Sequence, residues 1–173
     1  MQDIRKAWII NQFANTPDLP GHTRQFEIAK HLTKKGWEIR IFASDFNLSK
    51  RQFCKLKKLQ FSKVERISKI LFHWLWVFPY YKNDWRRIFN LGSFSLHLSF
   101  RMMGQILQAD RPTIILASSP QLPAAFISLI FAKFLKIPFI FEVRDLWPQI
   151  LIDQGGKNPK SLLIRSLFFM EKI

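Results

Sequence analysis

Residues 7–42 constrain the fold of this chain more than any other stretch, because they read as strand, helix and strand in quick succession. Residues 7–13 are an apolar run interrupted by Asn11 and Gln12, polar residues placed where a strand hands over to a loop. Residues 14–22 contain Pro17, Pro20 and Gly21, which break regular structure, and lead into Thr23-Arg24 as a helix start. Phe26, Ala29 and Leu32, with Ile28 flanking, form an apolar stripe at helical spacing, and Lys34-Lys35-Gly36 places basic residues in the last turn before a glycine stop. Trp37, Ile39 and Ile41 then alternate with Glu38 and Arg40 before Phe42, which predicts a second strand with one more exposed face. Strand, helix and strand within about forty residues imply a parallel pair joined by a right-handed crossover, and so an α/β fold with helices on both faces of a parallel sheet.

The rest of the chain extends this pattern. Residues 72–78 fit a core strand, and Ser93 is placed to cap a helix running through Phe94, Leu98, Met102 and Leu107. Residues 113–117 are an uninterrupted apolar run suited to a central strand, closing on Ser118-Ser119-Pro120. Residues 122–135 read as a core helix with Pro123 at its start. Residues 139–143, opened by Pro138, suit a strand buried on both faces, although periodicity fits a buried helix as well. Residues 153–159 read as a loop around Gly155-Gly156, and Ser161 opens a further apolar helix.

In an open parallel sheet, ligands sit outside the carboxyl ends of the strands, so Asn11, Ser118, Ser119, Arg144 and Asp145 stand where substrates arrive, with Trp147 and Pro148 stiffening the last exit. Hydroxyls at a strand exit suit an anion or a sugar hydroxyl, and they also simply cap helices. Structure alone gives Arg144 and Asp145 work as readily as chemistry does, the first pairing with a carboxylate and the second capping a turn.

Composition limits the partners. The 173 residues are 48% hydrophobic, enough for one core and one domain, and carry a net charge of +15, which points to an anionic partner: nucleic acid, anionic lipid or a phosphorylated substrate. Lys50, Arg51, Lys55, Lys57, Lys58, Lys63, Arg66 and Lys69 crowd residues 50–69, against Glu65 alone; such a run serves as a solvated face or as a binding surface. The aromatic stretch that follows ends in Trp85-Arg86-Arg87, which suits core packing in its first half and, where bases interleave, nucleobase stacking or a membrane headgroup layer. One cysteine, Cys54, makes no internal disulfide, and His22, His31, His73 and His97 lack metal-ligand spacing, so neither a metal nor another cofactor is expected. The first six residues lead into a run too short for a signal peptide, and no stretch reaches the roughly 18 uncharged apolar residues of a spanning helix, so a cytoplasmic chain is expected.

Several stretches together are similar to the amino-terminal domain of glycosyltransferase family 4, in the branch of bacterial sugar transferases of surface polysaccharide assembly. They are residues 7–13, Thr16-Pro17-Asp18-Leu19-Pro20-Gly21, residues 36–45, Asn83-Asp84-Trp85-Arg86-Arg87, Ser118-Ser119-Pro120 and, most specifically, Glu142-Val143-Arg144-Asp145-Leu146-Trp147-Pro148. The resemblance implies that residues 1–173 are the Rossmann-like, acceptor-side half of a GT-B enzyme. The donor-binding carboxyl-terminal half, with its spaced pair of glutamates, is absent, and the end at Ile173 within an apolar run suggests a truncated or split enzyme, inactive alone.

By the same resemblance Gly21, His22, Thr23 and Arg24 form the loop that approaches the donor phosphates, with His22 where a second glycine is common. Asp145 acts on the acceptor hydroxyl, while Arg144, Trp147, Ser118, Ser119 and Asn11 line the cleft. Trp85, Arg86 and Arg87 meet membrane or acceptor phosphate. The implied reaction moves a sugar, with retention, from a nucleotide-sugar donor to a lipid-linked glycan in cell-surface polysaccharide synthesis, at the inner face of the cytoplasmic membrane and without nucleic acid. The alternative is a non-catalytic basic module that binds anionic membrane or nucleic acid; it explains the charge directly but leaves the polar strand exits unexplained.

Overall fold

The computed structural model describes residues 5–81, 85–144, 165, 166, 168 and 169. At its centre lies β1 (Lys6–Ile10), parallel to β2 (Glu38–Ser44) on one side and to β7 (Ile114–Ser118) on the other, so that Ala7 faces both Ile39 and Ile114 across the ladders. Outside β2 runs β6 (Ile70–Leu75), also parallel, and β5 (Ser62–Ile67) closes that edge as an antiparallel strand. Beyond β7 lies β8 (Phe139–Glu142), giving the order β5-β6-β2-β1-β7-β8. A short hairpin of β3 (Phe46–Asn47) and β4 (Gln52–Phe53) stands apart from the sheet.

Side chains of a strand alternate between faces, and the core divides accordingly. Ala7, Ile9, Ile39, Ile41 and Phe72 pack on one face with Phe26 and Ala29 of α1 (Arg24–Lys34). Trp8, Ile10, Phe42, Ile115 and Ala117 pack on the other with α2 (Arg86–Leu107) and α3 (Leu122–Leu135). Each fully buried large side chain contributes about 1.5–3 kcal/mol, so the two layers together hold the sheet between helices. α1 ends as its sequence predicts, with Gly36 in the left-handed region at φ 84°.

The order of strands corrects several expectations. Residues 139–142 do form a strand, but β8 lies at the edge of the described sheet, with Ile140 46% exposed, because it has a strand neighbour on one side only. The expected open face of β2 is confined to its amino end: Glu38 is exposed and Arg40 half-buried, while residues 41–44 are buried on both faces between β1 and β6. Ser93 is no helix cap. The helix begins seven residues earlier at Arg86, and the Ser93 hydroxyl, inside it, donates to the Asn90 carbonyl at 3.0 Å and accepts the Phe78 N–H at 2.8 Å. α3 matches the expected residues but is a core helix on one side only, with Ile130 and Phe134 exposed. The loop expected at 153–159 lies outside the described residues; in the helix expected from Ser161, residues 165, 166, 168 and 169 are helical.

Candidate active site

The chain winds in two directions. From β1 through α1 to β2 it advances one way with the helix on one face; from β7 through α3 to β8 it advances the other way with the helix on the opposite face. β1 and β7 are neighbours, so the windings diverge between them, and the carboxyl ends of these two strands are the place where open α/β sheets bind ligands.

Asn11 leaves β1 at this point, 2% exposed; its side-chain oxygen accepts the Phe13 N–H at 2.9 Å and turns the chain into the loop of residues 14–22. Ser118 and Ser119 leave β7. The Ser118 hydroxyl donates to Glu142 Oε2 at 2.7 Å, and the Ser119 hydroxyl accepts the Arg144 N–H at 2.7 Å. Arg24, at the start of α1, donates to Glu142 Oε1 at 2.5 Å. Glu142 therefore ties the exits of β7 and β8 to the first turn of α1. Charge-assisted bonds of this kind are about twice as strong as neutral ones, and this one holds Arg24 at the carboxyl end of the sheet.

The loop between β1 and α1 is built on Gly21. Its φ is +127°, and a Cβ there would lie 2.5 Å from the Asn15 side-chain nitrogen, so any other residue strains the turn. Asn15 N–H donates to the His22 carbonyl at 2.9 Å, while the Asn47 amide donates to Asn15 Oδ1 at 3.2 Å and to the Pro20 carbonyl at 2.8 Å. A cavity of about 80 Å³ is bounded by Gln12, Asn15, Gly21, His22, Ser44 and Asn47. His22 and Arg24 are exposed beside it, and Thr23 immediately precedes α1 without a side-chain cap.

The structure thus gathers Asn11, Ser118, Ser119, Arg144 and the Gly21–Arg24 segment at one end of the sheet. Trp85, Arg86 and Arg87 open α2, whose Asn90 is bonded by Gln12 at 2.5 Å, so that turn stands beside the same end. Asp145 and Trp147 lie outside the described residues. Gln25 and Gln121 have no counterpart among the residues expected from sequence, while Gln12, expected at the exit of β1, and Glu142, expected within its motif, gain their bonding roles only here. Glu142 had a signal, an acid ending an apolar strand; Gln25 and Gln121, at 0% and 2% exposure, bury amide groups that have no partner among the described residues. Asp45, at the exit of β2, is committed to structure: its carboxylate accepts the backbone N–H groups of Cys54, Lys55 and Leu56 at 3.2, 2.7 and 2.7 Å. No cluster of three metal-ligating side chains occurs among the described residues.

No protein-family model matches the sequence, and no curated protein does. Among solved structures, the chain is similar to the catalytic domain of Starch Synthase IV from Arabidopsis thaliana bound to ADP and acarbose, with a TM-score of 0.56 and 13% identity over 82% of this chain. The match covers 34% of that chain, so this protein spans about a third of the neighbour's length. At that identity the likeness is one of fold: the mostly parallel six-stranded sheet with helices on both faces corresponds to a Rossmann-like half of a GT-B fold.

Proposed function

We propose that this chain forms the acceptor-side half of a retaining glycosyltransferase that takes its sugar from a nucleotide donor and works at an anionic membrane surface on a lipid-linked glycan in surface polysaccharide synthesis. The observation that carries the reading is the convergence of hydroxyls, an arginine and a glycine-built loop at the carboxyl ends of β1 and β7. The fold of the starch synthase domain, which binds ADP, supports it.

Sugar transfer develops negative charge on the departing phosphate and positive charge on the sugar, so the site needs donors near the phosphate and an acceptor hydroxyl beside the anomeric carbon. In this proposal the N–H groups opening α1, with Arg24 and His22, face the donor phosphates. The bond between the anomeric carbon and the phosphate oxygen breaks as the acceptor oxygen bonds to the same face of the sugar, and the acceptor proton passes to the departing phosphate. Asp145 orients the acceptor hydroxyl, Arg144 positions Asp145 or binds acceptor phosphate, and Ser118, Ser119, Asn11 and Trp147 line the cleft. The nucleotide is held mainly by a second domain, on the same or a separate chain.

A membrane surface is favoured by α2. Its exposed side carries Trp85, Phe89, Leu96, Phe100, Met103 and Leu107, and the helix holds Arg86 and Arg87 but no acid. Each basic residue near an anionic leaflet contributes about 1 kcal/mol, and aromatic side chains settle at the headgroup boundary. The reaction is tested by Asp145→Asn in an active two-domain enzyme containing this half. Turnover should fall about 100-fold or more; turnover within a few-fold of the parent would leave Asp145 a capping residue.

A further inference from the structure

A second cavity lies at the other end of the sheet. It holds about 460 Å³, within the range of small-molecule sites, and is bounded by the amino end of β2, the start of β6, the end of β5 and the last turn of α1. Trp37, Ile39 and Leu71 supply apolar wall; Arg40, Arg66 and Lys69 supply cations. Glu38 is the only acid lining it, and its side chain is 54% exposed.

The charges here do not balance. Arg40, with its side chain 17% exposed, pairs with Asp110, but Lys6 takes the same carboxylate at 3.0 Å and also reaches Glu38 at 3.8 Å. Arg101 presses from behind, its Nε 3.0 Å from His73, whose other ring nitrogen lies 3.4 Å from Arg40. Burial holds the Arg40 guanidinium below its usual pKa, and the charges of Arg101 and Arg66 add to this against the pull of Glu38. Neither Arg66 nor Lys69 is within ion-pair distance of a carboxylate among the described residues. Five cations, Lys6, Arg40, Arg66, Lys69 and Arg101, thus surround two carboxylates, Glu38 and Asp110. Like charges held together at a partly desolvated wall repel, and a bound anion relieves that repulsion.

We propose that this cavity is a binding site for a soluble phosphorylated small molecule, with a phosphate or pyrophosphate group held by Arg40, Arg66 and Lys69 and an apolar portion against Trp37, Ile39 and Leu71. Guanidinium forks match phosphate oxygens bidentately, which favours phosphate over carboxylate as the anion. The cavity lies at the amino ends of β2 and β6, whereas the site of the proposed transfer reaction lies at the carboxyl ends of the strands, so the two sites accept separate molecules.

Arg66 and Lys69 are exposed, so replacing them leaves the core untouched. Sodium pyrophosphate is titrated into the 173-residue chain at low salt, followed by calorimetry and by backbone amide chemical shifts. Expected is one saturable, salt-sensitive event whose shifts centre on residues 36–40 and 66–71. Arg66→Gln/Lys69→Gln should weaken it about tenfold or more, and Lys57→Gln/Lys58→Gln, which removes the same charge from an exposed loop, should change it less than about twofold. Absence of saturable binding, shifts centred on residues 11–24, or equal loss in the two double variants would each overturn the site.

Discussion

His73 sits 1% exposed between two guanidiniums and stacks on Phe42 with ring centroids 4.7 Å apart. Arg101 Nε–H donates to its Nδ1, which leaves the ring proton on Nε2, facing Arg40. A protonated ring would place a third cation between those two. Burial first, and then the charges of Arg101 and Arg40, push the imidazole pKa from 6.5 down to about 3. Between pH 6.5 and about 3 the unfolded chain therefore binds a proton that the folded chain refuses. The stability held by a neutral His73 is complete above pH 6.5 and drains away as pH falls towards 3. By pH 5 the loss is about 2 kcal/mol. Urea unfolding at pH 7 and pH 5 should show it, and His73→Gln, which offers an acceptor but no titration, should flatten the difference; equal slopes in parent and variant would contradict a buried neutral imidazole. Residue identity also decides what the strand exits do. Asp45 and Glu142 are both acids ending strands, yet Asp45 organises a loop through three backbone N–H groups while Glu142 joins Ser118 to Arg24.

α2 is apolar on two opposite sides. Phe94, Leu98, Met102 and Ile106 are buried against the sheet, and Trp85, Phe89, Leu96, Phe100, Met103 and Leu107 follow spacings of three, four or seven residues along the exposed side. Over its 22 residues that stripe runs roughly 33 Å, and Phe100 in it is 69% exposed. Leu59 and Phe61 extend the apolar surface, Phe61 stacking on His97 of α2 at 5.9 Å, with Lys57 and Lys58 beside them. No described helix is long and apolar enough to cross a membrane. The proposed seat for this stripe is the surface of an anionic bilayer, where aromatic side chains settle beside basic ones. Leu96→Ser/Phe100→Ser should lower co-sedimentation with anionic vesicles several-fold while moving stability by no more than about 0.5 kcal/mol per site. Binding should weaken with salt and be poorer on neutral vesicles. Undiminished binding by the variant would remove α2 from the contact, and tighter retention on single-stranded oligonucleotide than on vesicles would favour the non-catalytic basic module instead.

At the scale of the molecule, the proposed function makes the described sheet one wall of a cleft. A two-domain transferase gains rate by closing around its donor, excluding water and aligning the anomeric carbon, and one wall does neither. The 173 residues alone should fold but should show no micromolar binding of uridine or guanosine diphosphate sugars at the carboxyl ends of the strands, read from amide shifts at residues 11–24. Micromolar binding there would place the donor site in this half and end its assignment to the acceptor side.

The sequence by itself determined the α/β class, the span of α1 and the polar exits of β1 and β7, because periodicity, proline, glycine and capping act within a few residues of one another. It also placed Gly21 in a loop, where the structure shows a turn that only glycine fits without strain. Strand order was decided by the tertiary structure alone. A run such as residues 139–142 is equally apolar at an edge or in the middle of a sheet, and only its neighbours settle which, here leaving Ile140 half-exposed beside β7. The same holds for the Glu142 links to Ser118 and Arg24, 24 and 118 residues away, for the second apolar side of α2 and for the cations around Asp110. Each depends on contacts between residues far apart in the chain, and local patterning carries no record of which distant side chain arrives.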